Sequence, residues 1–271
     1  MTVQELYRLL EIPAEVIPRL ETHAQPDLSW LTPDIQTLYY TRSTTQAGLL
    51  AIQERLGDDP DGLRMLWVLL HLAAQAHDEY VRRGISDGVF IHTMQMVTRT
   101  LHTQRQQTGD YRFPLGWWFW RYLSLSEFRL GSLEYELVEE NGVRELSLHI
   151  PRDADLTPAG VDASFAACRS FLKQFFPDWQ DVPWVCSSWL MCPALQQLLP
   201  PASNLLAFQN RFEALSVDES NWDVLKWVFP NHKEVSAALP EDTSLQRSMK
   251  AWLLAGNKVG WTKARLRAMA Q

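Results

Sequence analysis

The sequence predicts a mixed α/β protein of the α+β kind, with a helical N-terminal half and a mixed-sheet C-terminal half. Three observations carry this. Apolar residues recur every three to four positions as far as Leu101, the period of an amphipathic helix. From Phe128 the period falls to two, that of a strand. Beyond that point the elements read strand, strand, helix, strand, helix, strand, helix, without the regular alternation of a doubly wound sheet.

Thr2, with Glu5 three residues on, is a capping box, and Leu6, Leu9 and Leu10 follow at helical spacing. Pro13 and Pro18 punctuate a short second helix. Thr32-Pro33-Asp34 supplies an N-cap with proline at the first helical position. Leu49, Leu50, Ile52 and Leu56 extend a helical pattern to Gly57, a residue suited to the position just past a helix end. Asp61 caps a long helix to Arg83. Its apolar residues Leu63, Leu66, Trp67, Leu69, Leu70, Ala73 and Ala74 wrap most of the circumference, which places it centrally. Gly84 ends it, and Ser86 caps one further helix carrying Phe90, Met94, Val97 and Leu101 on one face.

The pattern changes around Thr108-Gly109-Asp110, and Trp117 to Trp120 shows no clean period. A domain boundary is expected between residues 112 and 113. Residues 128–138 and 144–151 read as strands joined at Glu140-Asn141-Gly142, a hairpin-turn signal. Thr157-Pro158 opens a helix through Val161, Phe165, Cys168, Phe171, Leu172 and Phe175. Residues 182–191 read as a buried strand, 193–199 and 203–211 as short helices, 212–217 as a strand and 222–229 as a helix. Thr243 caps a last helix over 244–255, closed by Gly256.

The 271 residues make one large domain or two small ones, and 46% hydrophobic with 21% charged residues is the balance of a chain that buries a core. A formal charge of −7 argues against nucleic acid and anionic lipid as partners, since both demand a basic surface. Lys258, Lys263, Arg265 and Arg267 form the one evident basic run, read as a solvated helix or strand face. Cys168, Cys186 and Cys192 are odd in number and lack framework spacing, which points to reduced thiols and a cytoplasmic compartment. Residues 1–5 lack the basic and apolar regions of a leader, and no apolar run nears the ~20 residues that cross a bilayer, so no stable membrane insertion is expected. Of the 12 tryptophans, ten lie from Trp117 onward; core packing accounts for most, and a broad apolar pocket is the functional use of such residues.

Several chemistries are disfavoured. There is no Gly-x-Gly-x-x-Gly after a strand and no phosphate loop, which speaks against dinucleotides and nucleoside triphosphates. No Gly-x-Ser-x-Gly elbow supports a serine hydrolase. His71 and His77 are six apart and His92 and His102 ten apart, so neither pair aligns two ligands on one helical turn, and no metal is expected.

Other stretches carry a resemblance. They are Arg129-Leu130-Gly131-x-Leu133-x-Tyr135-Glu136, then His149-Ile150-Pro151, then Cys186-x-Ser188-Trp189-Leu190 with Pro193, then Ser203-Asn204 with Phe208-Gln209 and Phe212. Upstream, Arg83-Gly84-Ile85-x-Asp87 and Thr93 join them. Together they resemble a bacterial family with an N-acyltransferase-type helical N-terminal domain and a GNAT-like C-terminal acyltransferase domain, here residues 1–112 and 113–271. The resemblance implies acyl transfer, with a fatty acyl chain among the candidates, from acyl-CoA or an acyl-carrier protein to an amine. A peptide side-chain amine is one candidate acceptor. Ordinary GNAT enzymes hold the CoA pyrophosphate on a Gly-rich loop before a helix. The corresponding segment here, Arg152 to Thr157, has no glycine and places Asp153 and Asp155 where an anion should go. The start of the helix beyond Pro158 still offers N–H donors, and Arg152 and Thr157 are the candidates to help hold the donor.

Direct attack by an amine needs a proton acceptor, donors for the oxyanion and a route for the thiolate to leave. His149, near the end of its strand, is the first candidate base, against a hydrogen-bonded structural histidine as the competing reading. Glu136 on the neighbouring strand is a second candidate base, or orients His149. Cys186 is a candidate nucleophile, although an apolar strand makes a buried, inert thiol the simpler expectation. Ser188 is a candidate acid for the leaving thiolate or a partner for the pantetheine, and Asn204 is a candidate for the latter, with a helix cap at Ser203-Asn204 as the competing reading. Trp189 and Phe208 read first as core, with a wall for the acyl chain of the donor as the alternative. A degenerate, non-catalytic module binding acyl-CoA, peptide or protein, and an accessory subunit whose partner supplies catalysis, stay open as alternatives.

Overall fold

A computed structural model of the chain describes residues 1–22, 28–220 and 223–267. Trp222, the expected start of a helix, lies outside them. The chain divides into two compact units, Met1–Arg129 and Leu130–Gln271. The division therefore falls C-terminal to the boundary expected at 112/113.

The N-terminal unit is helical: α1 (Val3–Leu9), α2 (Ile17–Thr22), α3 (Pro33–Tyr40), α4 (Thr45–Leu56), α5 (Leu63–Arg82), α6 (Asp87–Met94), α7 (Met96–Thr108) and the short α8 (Trp120–Leu123). The predicted capping box forms, with Thr2 N donating to Glu5 at 2.8 Å and Glu5 N to Thr2 Oγ1 at 3.2 Å. The long helix α5 is central, as its all-round apolar surface requires, and α1, α2, α4, α6 and α8 pack on it. Its cap differs from the expectation. Gly62 stands at the N-cap, and Asp59 does most of the capping, accepting from Arg64 N at 3.0 Å and Met65 N at 2.8 Å. Asp61 accepts from Leu63 N at 3.0 Å. The single helix expected after Ser86 is two, broken at Gln95. At Gly48 in α4 any Cβ would collide with the backbone of Tyr39, so glycine is what lets α3 and α4 approach.

The C-terminal unit contains β2 (Leu133–Glu140), β3 (Val143–His149), α9 (Pro158–Phe175), β4 (Trp184–Ser188), α10 (Leu195–Leu198), α11 (Asn204–Gln209), β5 (Phe212–Asp218), α12 (Asp223–Val228), α13 (Ser244–Leu254) and β6 (Trp261–Leu266). A further strand, β1 (Glu127–Leu130), straddles the division. The sheet has six strands in the order β1-β2-β3-β4-β6-β5. It is mixed: β3 and β4 run parallel, while β2–β3, β4–β6 and β5–β6 are antiparallel. The expected mixed α/β class is thus the one observed.

Three details depart from the linear reading. The expected strand over 128–138 is two, because Gly131 takes a left-handed turn (φ 67°) that L-residues with a Cβ resist. The strand expected over 182–191 stops at Ser188, after which residues 189–191 coil into a short 3₁₀ turn. The strand β6, in a stretch read as a solvated helix or strand face, lies inside the sheet between β4 and β5. The C-terminal helices enclose an apolar cluster that includes Leu195, Val224, Phe229, Met249 and Leu253.

Candidate active site

The hairpin β2–β3 forms at the predicted turn, where Asn141 and Gly142 both have positive φ (53° and 76°). Its register pairs Glu134 with His149, Tyr135 with Leu148 and Glu136 with Ser147. Paired residues of an antiparallel ladder share a face. One face of the hairpin therefore carries Glu134, Glu136, Ser147 and His149, and the other carries Tyr135, Leu146 and Leu148.

On the first face His149 Nε2 lies 2.9 Å from Glu136 Oε2. The Glu136 side chain is 3% exposed and that of His149 24%. A carboxylate so deeply buried requires partners, and the imidazole is one of them. With the ring nitrogen and the carboxylate in hydrogen-bond contact, Glu136 fixes the orientation of the imidazole. The structure thus brings together the two first-ranked residues of the sequence reading, thirteen positions apart in the chain.

The parallel neighbours β3 and β4 pair only from Leu146–Trp184 to Leu148–Cys186. Both strands run on past that last pair, β3 to His149 and β4 to Ser188. Pro151 lacks an N–H and cannot extend a ladder. At the other side of the seam Ser188 turns into the 3₁₀ segment, its Oγ accepting from Leu190 N at 3.1 Å. The other edge of β4 stays paired with β6 as far as Ser188–Thr262. The β3–β4 ladder therefore ends beside His149, leaving a seam between the two strands beyond Leu148 and Cys186.

Other predicted residues lie elsewhere. Cys186 is on the opposite face, in register with Leu148, and is 1% exposed; burial pushes its thiol up to about 12. It therefore carries almost no thiolate near neutral pH and does not face His149. Trp189 is 8% exposed within the apolar cluster of the C-terminal helices, and Phe208 is 1% exposed and packs on Phe212 at 5.0 Å between ring centres. Both are packing positions. Asn204 is exposed in the first turn of α11, and Arg152 is exposed in the loop after Pro151.

Thr157 caps α9 by accepting from Gly160 N at 3.2 Å, with Pro158 at the first helical position. Asp155 accepts from Thr157 N at 2.9 Å, and this backbone hydrogen bond holds its carboxyl below the usual range. Its carboxylate also fills the space a Cβ on Gly160 would need. The start of α9 is therefore already occupied by an anion belonging to the chain.

The sequence reading missed Glu134. It is buried at 6% exposure and stands directly opposite His149. Two carboxylates spaced by two in an otherwise apolar strand were the available signal, because period two puts both on one face. It also missed the pairing of Lys263 with Glu145, 2.8 Å across the sheet.

Known families match the two parts of the chain. The N-acyltransferase N-terminal domain family matches residues 1–125, and the GNAT-like C-terminal domain family matches residues 127–266. Among curated protein sequences none matches. Solved structures do. An acyltransferase in complex with decanoyl-CoA and teicoplanin is 23% identical with a TM-score of 0.79, the match covering 98% of this chain and 88% of that one. An acyltransferase mutant with octanoyl-CoA is 23% identical with a TM-score of 0.80, covering 98% and 87%. An acyltransferase with CoA and 10C-teicoplanin gives the same identity, TM-score and coverage. These similarities establish a shared fold.

Proposed function

We infer the reaction from one premise: this chain belongs to the GNAT-like C-terminal domain family, here joined to an N-acyltransferase N-terminal domain. It is an acyltransferase, and acyl-CoA is its donor. The acyl group passes to an amine by direct attack. The observation that carries the residue-level reading is the His149–Glu136 pair at the point where β3 and β4 stop pairing.

In this reading the thioester lies in the seam beyond Leu148 and Cys186. A neutral amine attacks its carbonyl carbon, and the oxyanion meets backbone N–H groups at the end of β3. His149 takes the amine proton, directly or through one water, while Glu136 orients the ring and stabilises the imidazolium. The C–S bond then breaks and CoA leaves as thiolate, to be protonated by the imidazolium or by solvent. Ser188 contributes by shaping the turn that bounds the seam. Cys186 takes no covalent part.

A medium-length or long acyl chain is the donor we favour, and an amine on a peptide-type molecule the acceptor. The decanoyl- and octanoyl-CoA and the glycopeptide teicoplanin bound by the similar structures support both choices. A reducing compartment suits the three unpaired, buried cysteines. Among the described residues no helix is long and apolar enough to cross a membrane.

The test is a series of acyl-CoAs from acetyl to palmitoyl, first for thermal stabilisation and then for thiol release with a panel of amines, peptides and glycopeptides. Stabilisation rising with chain length, followed by amine-dependent CoA release and an acylated product by mass spectrometry, is expected. Binding without release under any acceptor would instead support a non-catalytic module.

A further inference from the structure

Past the last β3–β4 pair, Leu148 with Cys186, both strands continue, β3 to His149 and β4 through Ser187 to Ser188. Parallel strands in unbroken register advance residue for residue. Ser187 therefore stands level with His149, on the opposite side of the seam.

Two ladders fix the face on which Ser187 lies. Ser147 pairs with Val185 across β3 and β4, and Ser187 is two residues past Val185 on the same strand. Val185 pairs with Arg265, and Ser187 with Lys263, across β4 and β6. Paired residues share a face, and so do residues two apart in a strand. Ser187 and Lys263 thus lie on the side of the sheet that carries Glu136, Ser147 and His149. A side-chain contact agrees with this: Lys263 Nζ donates to both carboxylate oxygens of Glu145 at 2.8 Å, and Glu145 alternates with Ser147 and His149 along β3.

The adjoining Ser188 differs in both respects. It alternates with Cys186 onto the side packed on α9, and its Oγ accepts from Leu190 N at 3.1 Å. Ser187 is partly exposed, and among the described residues its hydroxyl has no hydrogen-bond partner. The only other residue that β4 puts on this face is Val185. On the β4 side of the seam, Ser187 is therefore the one side chain of that strand with a hydrogen to offer.

We propose that Ser187 is a further catalytic residue, its O–H donating to the thioester sulfur as the thiolate leaves; this rests on the acyl-transfer reading above. In that reading the carbonyl oxygen is met by N–H groups at the end of β3. The strand across the seam then serves the other polar atom, the sulfur. Attack by the amine makes a tetrahedral carbon. On its collapse the C–S bond breaks and the electron pair goes to sulfur. Ser187 stabilises that anion by its hydrogen bond and keeps its own proton, because an alcohol is a much weaker acid than a thiol. The thiolate takes its proton from the His149 imidazolium or from solvent.

The experiment varies the leaving group. For the full chain and its Ser187→Ala variant, kcat/KM is measured with three donors: decanoyl-CoA, S-decanoyl-N-acetylcysteamine and S-(4-nitrophenyl) thiodecanoate. The acceptor is any amine that supports CoA release, or water. Ser187→Ala should lower kcat/KM about 10- to 100-fold with the two alkyl thioesters, the worth of one hydrogen bond to a charged group. With the aryl thioester, whose thiolate leaves without help, it should stay near wild type. Ser187→Thr keeps the hydroxyl on a residue suited to a strand and should recover most of the rate. If Ser187→Ala fails to fold, Ser187→Val serves as the hydroxyl-free counterpart of Ser187→Thr. No loss with any donor, or an equal loss with all three as for an oxyanion or packing role, would overturn the proposal and leave the acyl-transfer reading standing. Wild-type protein that releases no CoA to any amine or to water would overturn both.

Discussion

The two faces of the C-terminal sheet differ in kind. One carries Tyr135, Leu146, Leu148, Trp184 and Cys186, and packs on α9: Trp184 meets Tyr135 and Phe165 edge-on at 5.6 and 5.3 Å between ring centres, and the Tyr135 hydroxyl bonds to Ser164 at 2.9 Å. The other carries Glu134, Glu136, Ser147 and His149. Both arise from the same few residues of β2 and β3, alternating in direction. Parity along the strand therefore decides which of these side chains pack on α9 and which join the polar face, where the proposed base lies. Cys186 and His149 lie close to the same seam, but the thiol faces the packed side with its proton held, and the imidazole faces the side where carboxylates can use it.

The largest test of that contrast is His149→Ala. It should lower kcat by about 10²- to 10⁴-fold, the usual worth of a positioned general base, while acyl-CoA affinity measured by thermal shift stays near wild type. An unchanged kcat would return His149 to the structural class. Glu136→Gln should cost less, about 10- to 100-fold in kcat with KM little altered, because the amide keeps a hydrogen-bond acceptor but loses the charge that stabilises the imidazolium. A loss in KM alone would mean that Glu136 shapes binding and has no bearing on the base.

Substitutions on the packed face should move stability and leave the chemistry alone. Tyr135→Phe deletes the hydroxyl that meets Ser164 and should cost about 1 kcal/mol in denaturant unfolding, with turnover unchanged. Cys186→Ala should have the smallest effect on activity, within about twofold, since its thiol is pushed up to about 12 and faces away from His149. An acyl group found on Cys186 by mass spectrometry of a quenched reaction would break the comparison between the faces outright.

Much of this was legible in the chain. Local rules sufficed for the Thr2–Glu5 and Thr243 caps, for the Asn141-Gly142 turn and for the central place of α5. His149 was identifiable as a candidate base from its residue type and its place near the end of a strand, and Glu136 from its place on the neighbouring strand. Their hydrogen bond was not. It depends on a register that places Glu136 opposite Ser147, one step diagonal from His149, and register is a property of two strands together. Asp59 outranked Asp61 as the cap of α5 because its carboxylate, two residues further back, reaches two N–H groups at once.

The sequence by itself determined the fold class, the family and the residue types that could do chemistry, since these follow from period, capping and short motifs, all of which act within a few residues. Only the tertiary structure decided which of those residues meet. The strand β6, whose period-two alternation of Thr262, Ala264 and Leu266 with Lys263 and Arg265 passed for a solvated basic run, inserts between β4 and β5. Trp189, for which core and pocket wall were both open on paper, packs in a cluster with Val224, Leu239, Met249 and Leu253, neighbours far along the chain. The physical reason is common to both. Burial and pairing are settled by contacts between distant segments, and a side chain's role follows from what covers it.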